Sequence, residues 1–275
     1  MGIHLKKYIK FLKKMIFLFN NGPGRFGNHI YNLFYISALS KKYKQNFWIS
    51  NSNYLLNYFD FNKANQNNYS LFKCLKIINQ KTITKPLSDN FNYFFKPPVL
   101  GNNLFDFIDI EIGFRIKSNF NSSRLNKQKN NVAIHFRGTD FSEWDKNSIL
   151  NSKYYIDSLT DIIKKNKDSY FILYTDDLSL KSFNDVKKFL ENNMFDFSLG
   201  RLTDHFMFDF AEISECNSII SSPSTFCIWA SLLGQKNKVI YHSKKWIDYR
   251  IRNNDTFWIS LKSKGHKIYD EFIVI

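Results

Sequence analysis

The sequence predicts an α/β fold with parallel sheets. Three observations carry this. Short apolar runs alternate with stretches of helical periodicity about a dozen residues long, the pattern of βαβ units. The apolar runs end in turns that hold glycine, serine or aspartate, where crossover helices begin. Two such regions lie on either side of a nearly all-polar stretch, which implies two sheet-bearing, Rossmann-like domains.

The elements follow in order. Met15 to Phe19 reads as the first strand. A glycine loop, Asn21 to Asn28, leads into a helix over His29 to Tyr43, where Ile30, Leu33, Phe34, Ser37 and Ala38 recur at helical spacing. Phe47 to Ile49 is a second strand. Asn51 to Leu125 is rich in Asn, Phe and Lys and is broken by Pro86, Pro97 and Pro98, so short helices and irregular loops are expected there. Asn119 to Asn131 is almost wholly polar and is the expected interdomain linker.

The second half is more regular. Val132 to Phe136 is a strand, and Ser152 to Asn166 is a helix with Tyr155, Ile156, Leu159, Ile162 and Ile163 on its apolar face. Tyr170 to Tyr174 is a strand that ends in Thr175-Asp176-Asp177. Helices are expected at Leu180 to Asn192 and Asp204 to Cys216, with a strand at Ser218 to Ser221. Ser222-Pro223-Ser224 opens a helix that Gly234 ends, and Lys238 to Tyr241 is the last predicted strand. The expected division is a basic leader over 1–14, one domain over 15–125 and a second over 126–275.

Composition narrows the function classes. A chain of 275 residues that is 44% hydrophobic can bury one large core or two modest ones. Its formal net charge of +15 attracts anions without choosing among nucleic acid, anionic membrane, nucleotide diphosphate and acidic glycan. The lysines are spread along the chain, and no zinc-finger or basic-zipper spacing occurs, so a dedicated DNA-binding module is unsupported. Three cysteines without a CxxC pair speak against a disulfide framework or structural zinc and suit a reducing compartment. Cys216 and Cys227 lie in apolar-periodic segments and are expected to pack the core. The leader carries Lys6, Lys7, Lys10, Lys13 and Lys14. It reads as a solvated segment, or as one drawn to an anionic inner-membrane surface.

Three segments can carry chemistry. Gly22-Pro23-Gly24-Arg25-Phe26-Gly27-Asn28 joins a strand to a helix with GxGxxG spacing. Such a loop lets the backbone approach a ligand and offers helix-terminal N–H groups, or it is a plain tight turn. No acidic residue ends the second strand, which disfavours an NAD site. In the second segment, Val132 to Asp140, His135 and Arg137 fall on the same side of a strand end. The Arg137 fork suits a diphosphate. Asp140 could orient Arg137, bind a sugar hydroxyl or act as a base. The third, Ile219 to Leu233, holds the capping run Ser221-Ser222-Pro223-Ser224-Thr225, a plain helix cap or a turn whose hydroxyls and N–H groups meet a phosphate. Asp176 and Asp177 could bind ribose or base edges, or cap the next helix.

These segments, in this order, resemble the fucosyltransferase superfamily. That group holds the α-1,2-fucosyltransferases of glycosyltransferase family 11 and the protein O-fucosyltransferases. GPGRFGNHIYNLFYISALSKKY is similar to the family's G-R-F/L-G-N-Q/H loop and helix. VAIHFRGTDF is similar to H-x-R-R-G-D-Y, and FILYTDD to the strand ending in S/T-D-D. The block from Asp209 to Trp246 is similar to the family's I-S-N-S-S/T-F-S-W-W segment. Three positions depart from the motifs: Gly138 stands for the second Arg, Ile228-Trp229 for the Trp pair, and Ser222 or Pro223 for the Asn.

The resemblance implies a GT-B type fold, two Rossmann-like domains facing a cleft. It also implies inverting transfer from GDP-fucose without a metal or other cofactor. Arg137, Asn28 and Asp140 would be catalytic: Arg137 on the β-phosphate, Asn28 facing the sugar from the amino-terminal domain, Asp140 in support. Gly24, Arg25 and Gly27 would belong to the donor loop. His135 and Asp176 would contact the nucleoside. Ser224, Thr225 and Phe226 would face the diphosphate. Asp140 and His29 are the candidates for a general base. The acceptor would be a galactoside or similar sugar of a surface glycan, or its lipid-linked precursor. Action at the cytoplasmic face of a membrane is expected, with no specific nucleic acid as partner. The same scaffold could serve another nucleotide-sugar, and the charge alone would also suit a non-catalytic polyanion binder.

Overall fold

The computed structural model describes residues 15–18, 25–42, 46–49, 53–61, 75–78, 92–95, 114–120, 124–139, 141–201, 205–234, 238–264 and 271–275. The basic leader, Gly24 and Asp140 lie outside the described residues. The chain divides into two units, Met1–Arg115 and Ile116–Ile275.

In the first unit, β1 (Met15–Leu18) is followed by α1 (Phe26–Lys42) and β2 (Asn46–Ile49). A 3-10 turn over Tyr54–Asn57 precedes β3 (Phe59–Phe61). Then come β4 (Leu75–Ile78), β5 (Asn92–Phe95) and β6 (Phe114–Ile116), which pairs with β3. Four strands form a parallel sheet in the order β2-β1-β5-β4. Parallel strands were not expected between 51 and 125. LKII and NYFF are too short to show a period, and their Asn- and Lys-rich flanks resemble loop. Helix α1 starts at Phe26, earlier than the expected His29. It buries Ile30, Tyr31, Leu33, Phe34 and Tyr35.

The second unit begins with a 3-10 turn over Ser118–Phe120 and reaches β7 (Asn130–His135). The segment expected to be a linker is built into this unit. Arg124 donates to the Leu199 carbonyl, and Lys129 Nζ donates to Asp196 at 2.6 Å. The buried Asn131 bonds both the N–H and the C=O of Asn126, at 2.9 and 2.8 Å. A polar run can therefore be an anchored turn, because Arg124, Lys129 and Asn131 find partners inside the unit.

After β7 come α2 (Phe141–Trp144), α3 (Ser152–Lys165), β8 (Ser169–Tyr174), α4 (Lys181–Asn192) and β9 (Phe197–Leu199). They are followed by α5 (Phe206–Glu215), β10 (Ser218–Ile220), α6 (Thr225–Leu233) and β11 (Val239–His242). Beyond Tyr241, where no element was predicted, lie α7 (Lys244–Arg252), α8 (Thr256–Lys264) and β12 (Glu271–Val274). Six strands form one parallel sheet in the order β12-β11-β10-β7-β8-β9.

The core of this unit follows from covering the sheet on both faces. Val132, Ala133, Ile134, Phe171, Ile172, Leu173, Ile219, Ile220 and Ile240 are fully buried, which is why their strands read as unbroken apolar runs. Each large side chain buried this way contributes roughly 1.5–3 kcal/mol. The helices add one stripe each: Tyr155, Leu159 and Ile162 from α3, and Phe183, Val186 and Leu190 from α4. Cys216 and Cys227 are buried free thiols, as their apolar spacing predicted. Burial pushes the Cys227 thiol up to about 12, so it is an inert packing group.

Candidate functional site

The strand order sets where the site lies. From β7 the chain proceeds outward to β8 and β9, then returns to place β10 on the other side of β7. The order reverses between β7 and β10. In open parallel sheets, ligands bind at the carboxyl ends of the strands beside such a reversal. The carboxyl ends of β7 and β10 carry His135-Phe136-Arg137 and Ser221-Ser222-Pro223-Ser224.

One hydrogen bond spans the reversal. His135 Nδ1 lies 2.7 Å from Ser222 Oγ, both groups being buried. Burial, and then the charge of Arg137, hold His135 down at about 3. The ring is neutral, so it can only exchange hydrogen bonds at physiological pH. Phe226, in the first turn of α6, stacks against it with ring centroids 5.7 Å apart.

Register places the next pair. His135 lies opposite Tyr174 in the β7–β8 ladder. Two residues on, Arg137 meets Asp176, and its Nη1 pairs with the Asp176 carboxylate. The other contacts of that carboxylate are the Gly138 N–H at 2.8 Å and the Thr139 hydroxyl at 2.7 Å. Asp176 thus gathers the whole turn after β7. The Arg137 guanidinium lies over the Phe141 ring, 5.1 Å from its centroid. Asp177, its neighbour, accepts from the Ser179 N–H and hydroxyl at 2.8 and 2.6 Å, which makes it a turn residue.

Gly138 has a packing reason. A Cβ built there would lie 2.7 Å from Asp177 Cβ and 2.9 Å from Leu180 Cδ1. The turn after β8 approaches too closely for any side chain.

Ser224 occupies the cap position of α6 in extended backbone, φ −104°, but its side chain does not cap the helix. Its N–H donates to the Ser222 carbonyl at 2.7 Å. The capping run therefore starts the helix through backbone geometry. Ser224 is buried, while Thr225 and Phe226 are partly exposed.

The residues expected from the first unit sit around the start of α1. Gly27 is buried inside the first turn and not in a loop, and Arg25 is exposed. The Asn28 N–H donates to the Arg25 carbonyl at 2.9 Å. His29 Nδ1 is hydrogen-bonded to the Tyr54 hydroxyl, whose pKa is pushed up to about 12 by burial and by Tyr58.

Sequence reasoning missed two buried charges in the second unit. Glu212 is fully buried on α5, with Arg124 Nε 3.6 Å and Arg201 Nε 3.8 Å from its carboxylate. The nearby Asp209 is pushed up to about 6, chiefly by burial, and accepts from the Arg201 N–H at 2.9 Å. Lys238 is also buried, bonding the Ser214 carbonyl and, at 3.1 Å, the Ser231 carbonyl; burial lowers it to about 8. Glu212 and Asp209 stand at helical spacing on α5, the one signal that marked them. Among the described residues, no cluster of His, Cys, Asp and Glu is placed to hold a metal ion. No helix among them is long and apolar enough to cross a membrane.

A doubly covered parallel sheet with a polar cluster at its reversal defines an α/β protein of the kind that binds ligands at strand carboxyl ends. The chain belongs to glycosyl transferase family 11, whose model matches residues 25–260. It is thus a glycosyltransferase of a fucosyltransferase family. The fold is similar to POFUT1 solved with GDP-fucose, at TM-score 0.53 and 9% identity over 82% of this chain and 96% of that one. It is similar to apo POFUT1 at TM-score 0.54 and 9% identity, over 96% and 98% of the two chains. A mutant of Arabidopsis thaliana FUT1 in complex with GDP aligns at TM-score 0.50 and 10% identity, over 87% and 74%. No curated protein sequence matches the chain.

Proposed function

We propose that this chain is an inverting, metal-independent α-1,2-fucosyltransferase that moves fucose from GDP-fucose to a galactoside or similar sugar of a surface glycan. The observation that carries the reading is Arg137, fixed by Asp176 at the sheet reversal, in a chain of family 11. The POFUT1 structures were solved with GDP-fucose and with GDP, which supports the same donor here. The four-stranded parallel sheet of the first unit supports a GT-B architecture of two Rossmann-like domains.

The chemistry follows from charge. As the fucose C1–O bond breaks, its electron pair passes to the β-phosphate oxygen of the leaving GDP. An acceptor hydroxyl attacks C1 from the opposite face, inverts the configuration and gives up its proton to solvent as the new C–O bond forms. A guanidinium held beforehand by a carboxylate and an aromatic ring stabilises that growing charge with little reorganisation. Ser224 and the first N–H groups of α6 supply further donors. The neutral His135 is suited to hydrogen-bond a nucleoside or phosphate oxygen, and Asn28 to assist at the sugar. The net charge of +15 draws in the anionic donor and suits an acceptor on an anionic membrane surface.

Arg137→Ala should fold, yet lose nearly all transfer from GDP-fucose. Full activity in that variant overturns the reading. A second reading, transfer of another nucleotide-sugar, rests on Gly138, which leaves the turn with one arginine. Thermal shifts with GDP, UDP, CMP and dTDP separate the two.

A further inference from the structure

We propose that Trp144 is the platform on which the acceptor sugar stacks, so that the second unit supplies part of the acceptor site as well as the donor site. The inference rests on the donor reading above, since it takes Arg137 as the diphosphate anchor.

Trp144 is 55% exposed, whereas Trp229, Trp246 and Trp258 are buried. It ends α2, the short helix that leaves the Arg137 turn, and the Phe141 N–H ties that helix to the Gly138 carbonyl at 2.9 Å. The rings run outward from the anchor. Arg137 lies over Phe141, and Phe141 meets Trp144 edge-on with centroids 5.3 Å apart. Trp144 is therefore one ring removed from the aromatic residue that lies beside Arg137, and it is the exposed member of that chain of rings.

The indole is also braced. The Arg250 guanidinium lies over both Trp144, at 5.2 Å, and Trp246, at 5.3 Å. Arg250 is held in turn by Asp255, at 3.0 Å from its Nε, and by Asp145 at 3.8 Å. Trp246 supports Trp144 with centroids 5.9 Å apart. A large apolar ring fixed by neighbours yet more than half exposed gains little for stability. It offers one open face at a set angle.

That face selects its occupant. The indole surface carries negative quadrupole and attracts weakly positive C–H groups. A β-galactoside presents the hydrogens of C3, C4 and C5 on one side of its ring, an apolar patch of matching size. The hydroxyls on the ring edges remain free, including the one that attacks the donor.

The test compares wild type, Trp144→Ala and Trp144→Phe, with lactose and N-acetyllactosamine as acceptors and GDP release as the signal. Each chain is also melted with and without GDP. The expected result for Trp144→Ala is an acceptor KM raised by about tenfold with kcat changed little, the mark of lost uniform binding. Its GDP-induced shift should equal that of wild type, and Trp144→Phe should fall between the two. An unchanged KM in Trp144→Ala overturns the proposal. Loss of the GDP shift in that variant also overturns it, because the indole would then be a structural support. A wild-type chain that binds GDP but turns over neither acceptor overturns the galactoside assignment. A wild-type chain without any GDP shift instead breaks the donor reading, and the platform falls with it.

Discussion

Asp176→Ala is the perturbation that asks most of the site geometry. It removes the shared acceptor of three donors: the Arg137 guanidinium, the Gly138 N–H and the Thr139 hydroxyl. A hydrogen bond to a charged group contributes about 1.5–3 kcal/mol when shielded from water. The Asp176 side chain is 26% exposed and that of Arg137 is 17% exposed, so water takes back part of each. A total loss of about 2–4 kcal/mol follows, which in a domain of this size lowers Tm by roughly 5–12 °C. The functional loss should be larger than the stability loss, because Arg137 remains present but is no longer aimed. We expect kcat to fall about a hundredfold or more, the scale of a lost preorganised charge. Scanning fluorimetry with and without GDP, followed by initial rates below the new Tm, measures both. A Tm within one or two degrees of wild type, with unchanged kcat, would refute the claim that Asp176 organises the turn.

Three further outcomes follow from buried groups. His135 and His242 are held at about 3 by burial, while the unfolded chain protonates them near 6.5, so stability falls as pH drops from 6.5 towards 3. Asp209 acts in the opposite sense: pushed up to about 6, its contribution is present below the unfolded value of 3.8 and is lost as pH rises through 6. Asp209→Asn should therefore steepen the acid limb by about 1.4 kcal/mol per pH unit between pH 6 and 4, read by urea melts across that range; an unchanged slope would count against a proton on Asp209. Glu212→Gln leaves two guanidinium groups facing each other around a neutral amide and should cost about 3 kcal/mol in urea unfolding. Gly138→Ala forces a methyl against Asp177 and Leu180 and should cost about 1–3 kcal/mol, with a wild-type midpoint refuting the close approach.

How far the sequence discloses the molecule depends on burial. VAIHF and FILY are covered on both faces, so their residue types alone identify strands. Periodicity likewise revealed α3, because its stripe faces one sheet. LKII, NYFF, FSL and EFIV are strands of three or four residues, defined by the partners they find and not by their own pattern. The site divides in the same way. His135 and Arg137 were legible because both lie within one strand end. The partnership of Arg137 with Asp176 was not, since 39 residues separate them and only the β7–β8 register brings them together. Nothing local in the sequence revealed that Arg124 and Arg201 converge on Glu212, since 88 and 11 residues separate them from it.

The placement of β10 beside β7 also governs when the molecule becomes competent. His135 and Ser222 are 87 residues apart, and every strand between them is made earlier than β10. During synthesis the polar cluster joining β7 to β10 does not exist until the chain past Ser222 has emerged and docked. Until then one side of β7 is an open apolar edge, the kind of edge that recruits other chains. The delay is built into the topology, since non-local parallel pairing is slow. The surplus of positive charge then acquires a role before any substrate arrives, keeping half-assembled chains apart while that edge waits for its neighbour.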